Sequence, residues 1–317
     1  MLDVDTFLTA LYFMADNFYK ARPAKQQRPG ADASLSPSEV ITLAIFARFS
    51  RFVSERDFYR YAHTHLRGAF PTLPDRAQFN RLVRSHAELL EEVALHLAQM
   101  MGSHGCPYEA LDSVDSVDSA AMVARDSKRR GAGWLAGYAD IGWSNRLGWY
   151  EGFRLLVAVS PKGVVTGFGF SSASTADQPM AETFFAARTH PNSRLSSVGE
   201  AASGCYVTDK GFEGVESHER WLECYGAYGA RIIHPPKRNS LHPWPKRLRR
   251  WVAGIRQIVE SVYDKLFNAF GLHRERPHEL SGVRARLAAR VALHNFCIWV
   301  NDQLGRPWLA FADLLGW

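Results

Sequence analysis

Hydrophobic positions in the first hundred residues recur at helical spacing behind recognisable start signals. Leu35-Ser36-Pro37-Ser38-Glu39 offers Ser36 as N-cap, Pro37 at the first helical position and Glu39 to close a capping box, ahead of Val40, Leu43, Ala44 and Ala47. Ser54-Glu55-Arg56-Asp57 starts a second helix carrying Phe58, Tyr61 and Ala62, and Asp75-Arg76-Ala77-Gln78 a third carrying Phe79, Leu82 and Val83. Pro71 and Pro74 separate these two. With further helices predicted near Val4 to Tyr19 and Ala87 to Met101, residues 1–105 read as an all-helical unit, broken by a polar linker from Ala21 to Ala33.

After Gly102 the period shortens to two. Phe153, Leu155, Val157 and Val159 alternate with Arg154, Leu156, Ala158 and Ser160; Pro161-Lys162-Gly163 then turns the chain into Val164 to Phe170, which predicts a hairpin. Short strands are expected at Cys205 to Thr208 and Ala230 to His234. Helices are expected at Pro179 to Ala187, Glu216 to Tyr225, Trp251 to Phe270 and Val283 to Leu304. A hairpin followed by alternating elements describes a mixed sheet with helices on its faces, so the fold class is α+β.

The chain has 317 residues, 46% of them hydrophobic and 22% charged, enough to bury a sizeable core in one or two domains. No stretch reaches the roughly 18 apolar residues of a membrane span; the longest candidate, Val291 to Val300, is interrupted by His294 and Asn295. Met1-Leu2-Asp3-Val4-Asp5 puts acids where a secretory signal would carry Lys or Arg, so a cytoplasmic protein is expected. Cys106, Cys205, Cys224 and Cys297 form no C-x-x-C pair and read as reduced thiols.

The formal charge of +6 favours polyanionic partners. Arg76, Arg81 and Arg84 give the third helix a basic outer face. No Asp or Glu occurs from Arg231 to Gln257, a segment holding Lys237, Arg238, Lys246, Arg247, Arg249, Arg250 and Arg256, with Trp244 and Trp251 interleaved. Cations with aromatics suit a nucleic-acid backbone. A Gly- and aromatic-rich insertion at about 131–152 carries Trp134, Tyr138, Trp143, Trp149 and Tyr150, whose default is packing over the sheet.

Three acidic features could do chemistry. Asp209 stands just past a buried strand in Thr208-Asp209-Lys210-Gly211, where a rigid sheet fixes a side chain and loops shape a pocket. Asp112, Asp115 and Asp118 repeat an Asp-Ser-Val unit before the sheet begins. Glu260 follows Arg256 by four residues on one helical face. Singly, an i,i+4 ion pair with Arg256 explains Glu260 and a polar capping loop explains the Asp-Ser-Val run. Together, carboxylates on two strands and a helix are what a two-Mg²⁺ phosphoryl-transfer site requires, because hard cations take oxygen ligands.

The order of Leu35-Ser36-Pro37-Ser38-Glu39, Phe70-Pro71-Thr72-Leu73-Pro74, Gly148-Trp149-Tyr150-Glu151-Gly152-Phe153, Val207-Thr208-Asp209-Lys210-Gly211-Phe212, Pro236-Lys237-Arg238-Asn239 and Arg256-x-x-x-Glu260 resembles bacterial insertion-sequence transposases of the DDE type, in the IS4/IS5/IS982-like group, over nearly the whole chain. The resemblance implies a helical N-terminal DNA-binding region at 1–105 and an RNase H-like catalytic domain at 106–317. It also implies an Asp-Asp-Glu set holding Mg²⁺, with Mn²⁺ as a substitute, and double-stranded DNA as substrate. A homodimer bridging two DNA ends and association with the nucleoid follow from the same likeness.

By this likeness Asp209 is the second acid and Glu260 the third. Asp118 fits best as the first by its spacing to Arg125-Asp126-Ser127-Lys128-Arg129-Arg130, with Asp115 and Asp112 as rivals. Lys237, Arg238 and Arg256 are expected to position phosphates. Ala253 and Phe267 replace the Tyr and Lys of a signature seen in some relatives. The rival reading is a catalytically inactive or host-adopted DNA-binding protein, against which stands an acid at every expected position.

Overall fold

The computed structural model describes residues 1–23, 33–113, 122–126, 135–144, 148–189, 197–199, 204–212, 214–225, 230–236, 243–274 and 278–317. In chain order these form β1 (Leu2–Asp3), α1 (Val4–Lys20), α2 (Pro37–Phe46), α3 (Glu55–Tyr61), α4 (Arg76–Ser85) and α5 (Ala87–Met100), all but the first helical. There follow β2 (Glu109–Ser113), β3 (Met122–Asp126), β4 (Asp140–Ser144), β5 (Gly148–Val159), β6 (Val165–Ser172) and α6 (Asp177–Thr189). The remainder is β7 (Cys205–Val207), α7 (Val215–Cys224), β8 (Arg231–Ile233), α8 (Lys246–Asp264), α9 (Leu280–Gln303) and β9 (Leu315–Gly316).

The early helices begin where their caps dictate. Asp3 accepts from the Thr6 amide at 2.8 Å, Ser54 from Asp57 at 3.2 Å and Asp75 from Gln78 at 2.8 Å. Ser36 and Glu39 form the reciprocal capping box, the Ser36 amide donating to Glu39 Oε2 at 2.7 Å. Each bond satisfies a first-turn N–H that the helix itself cannot.

β2 is the pivot of the sheet. It runs antiparallel to β5 on one side and parallel to β7 on the other, and β8 extends the parallel edge. β5 is long enough to serve four partners. Its C-terminal half pairs with β2 and β6, and its N-terminal half with β3 and β4. The strand order through the centre is therefore β6-β5-β2-β7-β8. β4 and the start of β5 lie inside the segment read from sequence as an insertion, so the described part of that segment is a hairpin extending the sheet. Gly152 permits it, since a Cβ there would collide with the Met122 carbonyl of β3.

Alternation along β5 splits the core. Leu155, Val157 and Val159 face α8, α9 and the N-terminal helices, while Leu156 and Ala158 face α6 and α7, where Phe184, Phe185 and Trp221 are buried. One continuous core links Phe7 and Phe46 of the early helices to Phe296 of α9 and Val157 of the sheet.

The polar residues that interrupt the apolar run of α9 are its fasteners. Asn295 donates to the carbonyls of Ala94 and Val165, both at 2.9 Å, and accepts from the Val165 amide, also at 2.9 Å. His294 Nε2 donates to the Gly163 carbonyl at 2.8 Å. No helix among the described residues is long and apolar enough to cross a membrane.

Candidate active site

Two acids of β2 are buried, and they have opposite fates. Glu109 is neutralised within the interior: Arg188 of α6 forms a fully buried ion pair with it, donating from Nη2 to Oε1 at 3.1 Å, and Thr166 Oγ1 also donates to it. Asp112, an odd number of residues along the strand, points to the other face. It is 4% exposed, and its Oδ2 has no hydrogen-bond partner. Burial pushes its carboxyl well above the ordinary carboxylate range, with the negative charge of Asp209 adding to the shift and Arg256 opposing it.

The neighbour is set by register. Ala110 pairs with Val207 across the parallel β2–β7 ladder, so two residues further on Asp112 comes abreast of Asp209, just beyond β7. Asp209 is half-buried. Its carboxyl is also raised, first by burial; the Gly211 amide, donating to Oδ1 at 2.7 Å, opposes the shift, as do Arg256 and His234.

A third carboxylate lies beside Asp209. Asp177, the first residue of α6, takes a hydrogen bond from Ser113 Oγ and an ion pair from Arg154 Nη1 at 2.8 Å. A Cβ on Gly211 would lie 2.6 Å from Asp177 Oδ2 and 3.0 Å from Asp209 Oδ1, so glycine is required where these two carboxylates converge. Asp177 adds to the electrostatic pressure on both Asp112 and Asp209.

α8 closes the site from its own face. Tyr263, fully buried, donates to the backbone carbonyls of Asp112 at 2.8 Å and Leu155 at 3.3 Å, fixing α8 against the acid-bearing strand. Two turns earlier Arg256 lies within electrostatic reach of Asp112 and Asp209, and its Nε is buried without a partner. Glu260, one turn past Arg256, is half-buried and forms no ion pair with it. The first turns of α8 carry Lys246, Arg247, Arg249 and Arg250, all exposed, at the end where the helix dipole disfavours cations.

Of the residues expected from sequence, Asp209 and Arg256 are therefore brought together with Asp112, while Glu260 lies on the adjoining turn of α8. Asp115, Asp118, Lys237 and Arg238 lie outside the described residues. Asp177 was not foreseen, and neither was Tyr263. Among the described residues no three His, Cys, Asp or Glu side chains are gathered closely enough to hold a metal ion.

Residues 110–296, more than half of the chain, match a family model described as Transposase DDE domain. The matched span opens on β2 and ends within α9, so it contains Asp112, Asp177, Asp209 and Glu260. No curated protein and no solved structure matches the chain.

Proposed function

Because this chain belongs to the Transposase DDE domain family, we propose that it is an insertion-sequence transposase of the IS4/IS5/IS982-like group, binding the terminal inverted repeats of its element and catalysing their cleavage and transfer. The single observation that carries the assignment of the site is the buried, unpartnered carboxylate oxygen of Asp112 abreast of Asp209. A buried carboxylate oxygen without a partner is costly, and a second carboxylate beside it raises the cost. A cation resolves both problems at once.

The donor set fits a hard divalent ion. Asp112 and Asp209 would hold Mg²⁺ or Mn²⁺, with Glu260 reaching from α8 as the third ligand. When bound, such ions supply Lewis-acid stabilisation of a phosphoryl centre and a nucleophile at neutral pH. The protein's own part is positional. Tyr263 holds the Asp112 strand against α8, Asp177 is held by Ser113 and Arg154 at the edge of the cluster, and Arg256 offers its guanidinium to a phosphate beside the acids.

Asp112 takes the place of first acid in this reading, ahead of Asp118, because it sits on the strand parallel to the one that leads into Asp209. The strand order β6-β5-β2-β7-β8, with β5 alone antiparallel to both neighbours, supports the RNase H-like architecture that the family resemblance implies. Exposed cations at the start of α8 gain from phosphates what they lose to the helix dipole, which supports DNA as the partner, with Lys237 and Arg238 contributing further along the same basic segment. Holding two ends at once calls for a homodimer.

The test is cleavage of a linear duplex carrying the DNA that flanks the coding region, in Mg²⁺. Wild-type protein is expected to nick or cut at the element ends. Asp112→Asn, Asp209→Asn and Glu260→Gln are expected to abolish this while retaining end binding in a gel shift. Asp112→Asn with near-wild-type cleavage would remove it from the site, and wild-type protein with no metal-dependent cleavage would overturn the function.

A further inference from the structure

A second cluster of charge, of the opposite sign, lies where the N-terminal helices meet the C-terminal part of the chain. A cavity of about 260 Å³ is lined by Arg48, Arg56, Arg76, Arg274, Arg286 and Arg290. Glu55 is the acid among its lining residues. Glu55 Oε1 accepts from Arg286 Nε at 3.0 Å and Nη2 at 2.7 Å, with Arg48 Nη2 3.8 Å away.

The buried members of the cluster are fixed by the backbone. Arg290, 3% exposed, spends its donors on the carbonyls of Phe270 at 2.9 Å, Arg286 at 3.1 Å and Gly271 at 3.3 Å. Arg48, 4% exposed, donates from Nε to the Ala44 carbonyl at 3.3 Å. Carbonyls satisfy the hydrogen-bonding demand of a guanidinium and leave its charge in place.

The rim is different. Arg56, Arg76 and Arg274 are exposed, and among the described residues none of their guanidinium groups makes a hydrogen bond or ion pair. They come from the start of α3, the start of α4 and the turn after Gly271, three separate pieces of chain converging on one mouth. One carboxylate among six guanidiniums leaves a strong positive potential in a space flanked by low-dielectric walls, and that potential falls on whatever anion enters.

The shape of the donors narrows the anion. Guanidinium forks match the paired oxygens of a phosphate, and a cavity of about 260 Å³ has room for one.

We propose that this cavity is a phosphate pocket that grips the DNA backbone at the junction between the N-terminal helices and α9, separately from the acidic site. The identity of the strand as DNA rests on the transposase reading; the oxyanion chemistry does not. The pocket has a geometric consequence. It joins Arg56 and Arg76 of the N-terminal helices to Arg274 of the C-terminal part through a single ligand, so a bound phosphate braces the two against each other.

The experiment pairs two probes on one variant, Arg56→Ala/Arg274→Ala, both exposed positions whose removal leaves the core and the Glu55–Arg286 pair intact. Binding of a fluorescein-labelled duplex of about 30 base pairs is followed by anisotropy across a salt series. Melting is followed in inorganic phosphate against chloride at equal ionic strength. The expected result is a roughly tenfold loss of duplex affinity and a log–log salt slope flattened by about 2, one unit per lost phosphate contact, with an unchanged melting temperature in chloride.

If inorganic phosphate raises the melting temperature of wild-type protein but not of the variant, while duplex binding is the same for both, the occupant is free phosphate and the DNA assignment is overturned. Unchanged behaviour with both probes overturns the pocket altogether. Either failure alongside intact metal-dependent end cleavage leaves the transposase reading standing, whereas pocket-dependent duplex binding in a protein that never cleaves would sink that reading and keep the pocket.

Discussion

Asp112→Asn should make the metal-free protein more stable and deaf to magnesium. The wild-type carboxylate is 4% exposed, leaves Oδ2 without a partner, and shares its surroundings with Asp209 and Asp177, whose charges oppose its own. A buried polar group left unsatisfied costs about 1–3 kcal/mol, and a charged one more. The amide of asparagine is nearly isosteric, carries no charge and can donate toward Asp209. The expected gain in EDTA at neutral pH is therefore about 1–2 kcal/mol, which for a chain of 317 residues is a rise of roughly 1.5–3 °C in melting temperature.

Adding millimolar Mg²⁺ reverses the ranking. Ligand binding to the native state alone stabilises by mass action, so the wild-type protein should gain and Asp112→Asn should not. Differential scanning fluorimetry with and without metal reads both effects. Asp118→Asn serves as the comparison and should match wild type in both conditions. The reasoning is refuted if Asp112→Asn melts below wild type in EDTA, or if it keeps the wild-type magnesium shift.

Glu109→Gln strands Arg188 as an unpaired buried cation and should cost about 3–5 kcal/mol by urea unfolding, whereas the double change Glu109→Gln/Arg188→Met should recover most of it; equal losses in the two would show that the charge is not the cause. His294 is held neutral by burial, its imidazole lowered to about 4 with Lys265 contributing. Below pH 6.5 the unfolded chain takes up a proton that the native state refuses, so stability is lost as pH falls from about 6.5 toward 4. Between pH 7 and 4.5 wild-type protein should lose about 2–3 kcal/mol more than His294→Gln, whose amide can still donate to the Gly163 carbonyl; parallel urea midpoints for the two proteins would refute it. Tyr263→Phe removes the hydroxyl that ties α8 to the Asp112 and Leu155 carbonyls and should cost about 1–2 kcal/mol, measured the same way, while an unchanged midpoint would mean that packing of the ring alone holds α8 in place.

The elements legible in the sequence were those written in local chemistry. The Ser36–Glu39 capping box, the Ser54 and Asp75 caps and the Pro161-Lys162-Gly163 turn each specify their geometry within a few residues, and each is found where the spacing placed it. Elements whose meaning depends on distant partners were not legible. Asp177 reads locally as an ordinary acid at a helix start, and only the fold brings it to Ser113, 64 residues away, and Arg154, 23 away. Arg256 and Glu260 share a helical face as their spacing requires, but the ion pair that spacing invites is not made, and Arg256 lies within electrostatic reach of Asp112 and Asp209.

The Asp-Ser-Val repeat is the sharpest case. Asp112, Asp115 and Asp118 have nearly the same neighbours in sequence, so no local rule chooses among them, and face alternation groups Asp112 with Asp118 without separating them. Pairing places Asp112 alone, among the described residues of the repeat, beside Asp209. β7 ends at Val207, two residues short of Asp209, and the ladder aligns Glu109 with Tyr206, so the position abreast of Asp209 falls inside β2 at Asp112. That alignment is enforced by the other acid of the strand. Glu109 can be buried only where Arg188 and Thr166 meet it, and Tyr206, its partner across the ladder, accepts from the same Arg188 at 3.1 Å. Sliding β2 by one residue would turn Glu109 away from its counter-charge and Asp112 away from Asp209 together, so the neutralised acid sets the register that leaves Asp112 Oδ2 without a partner.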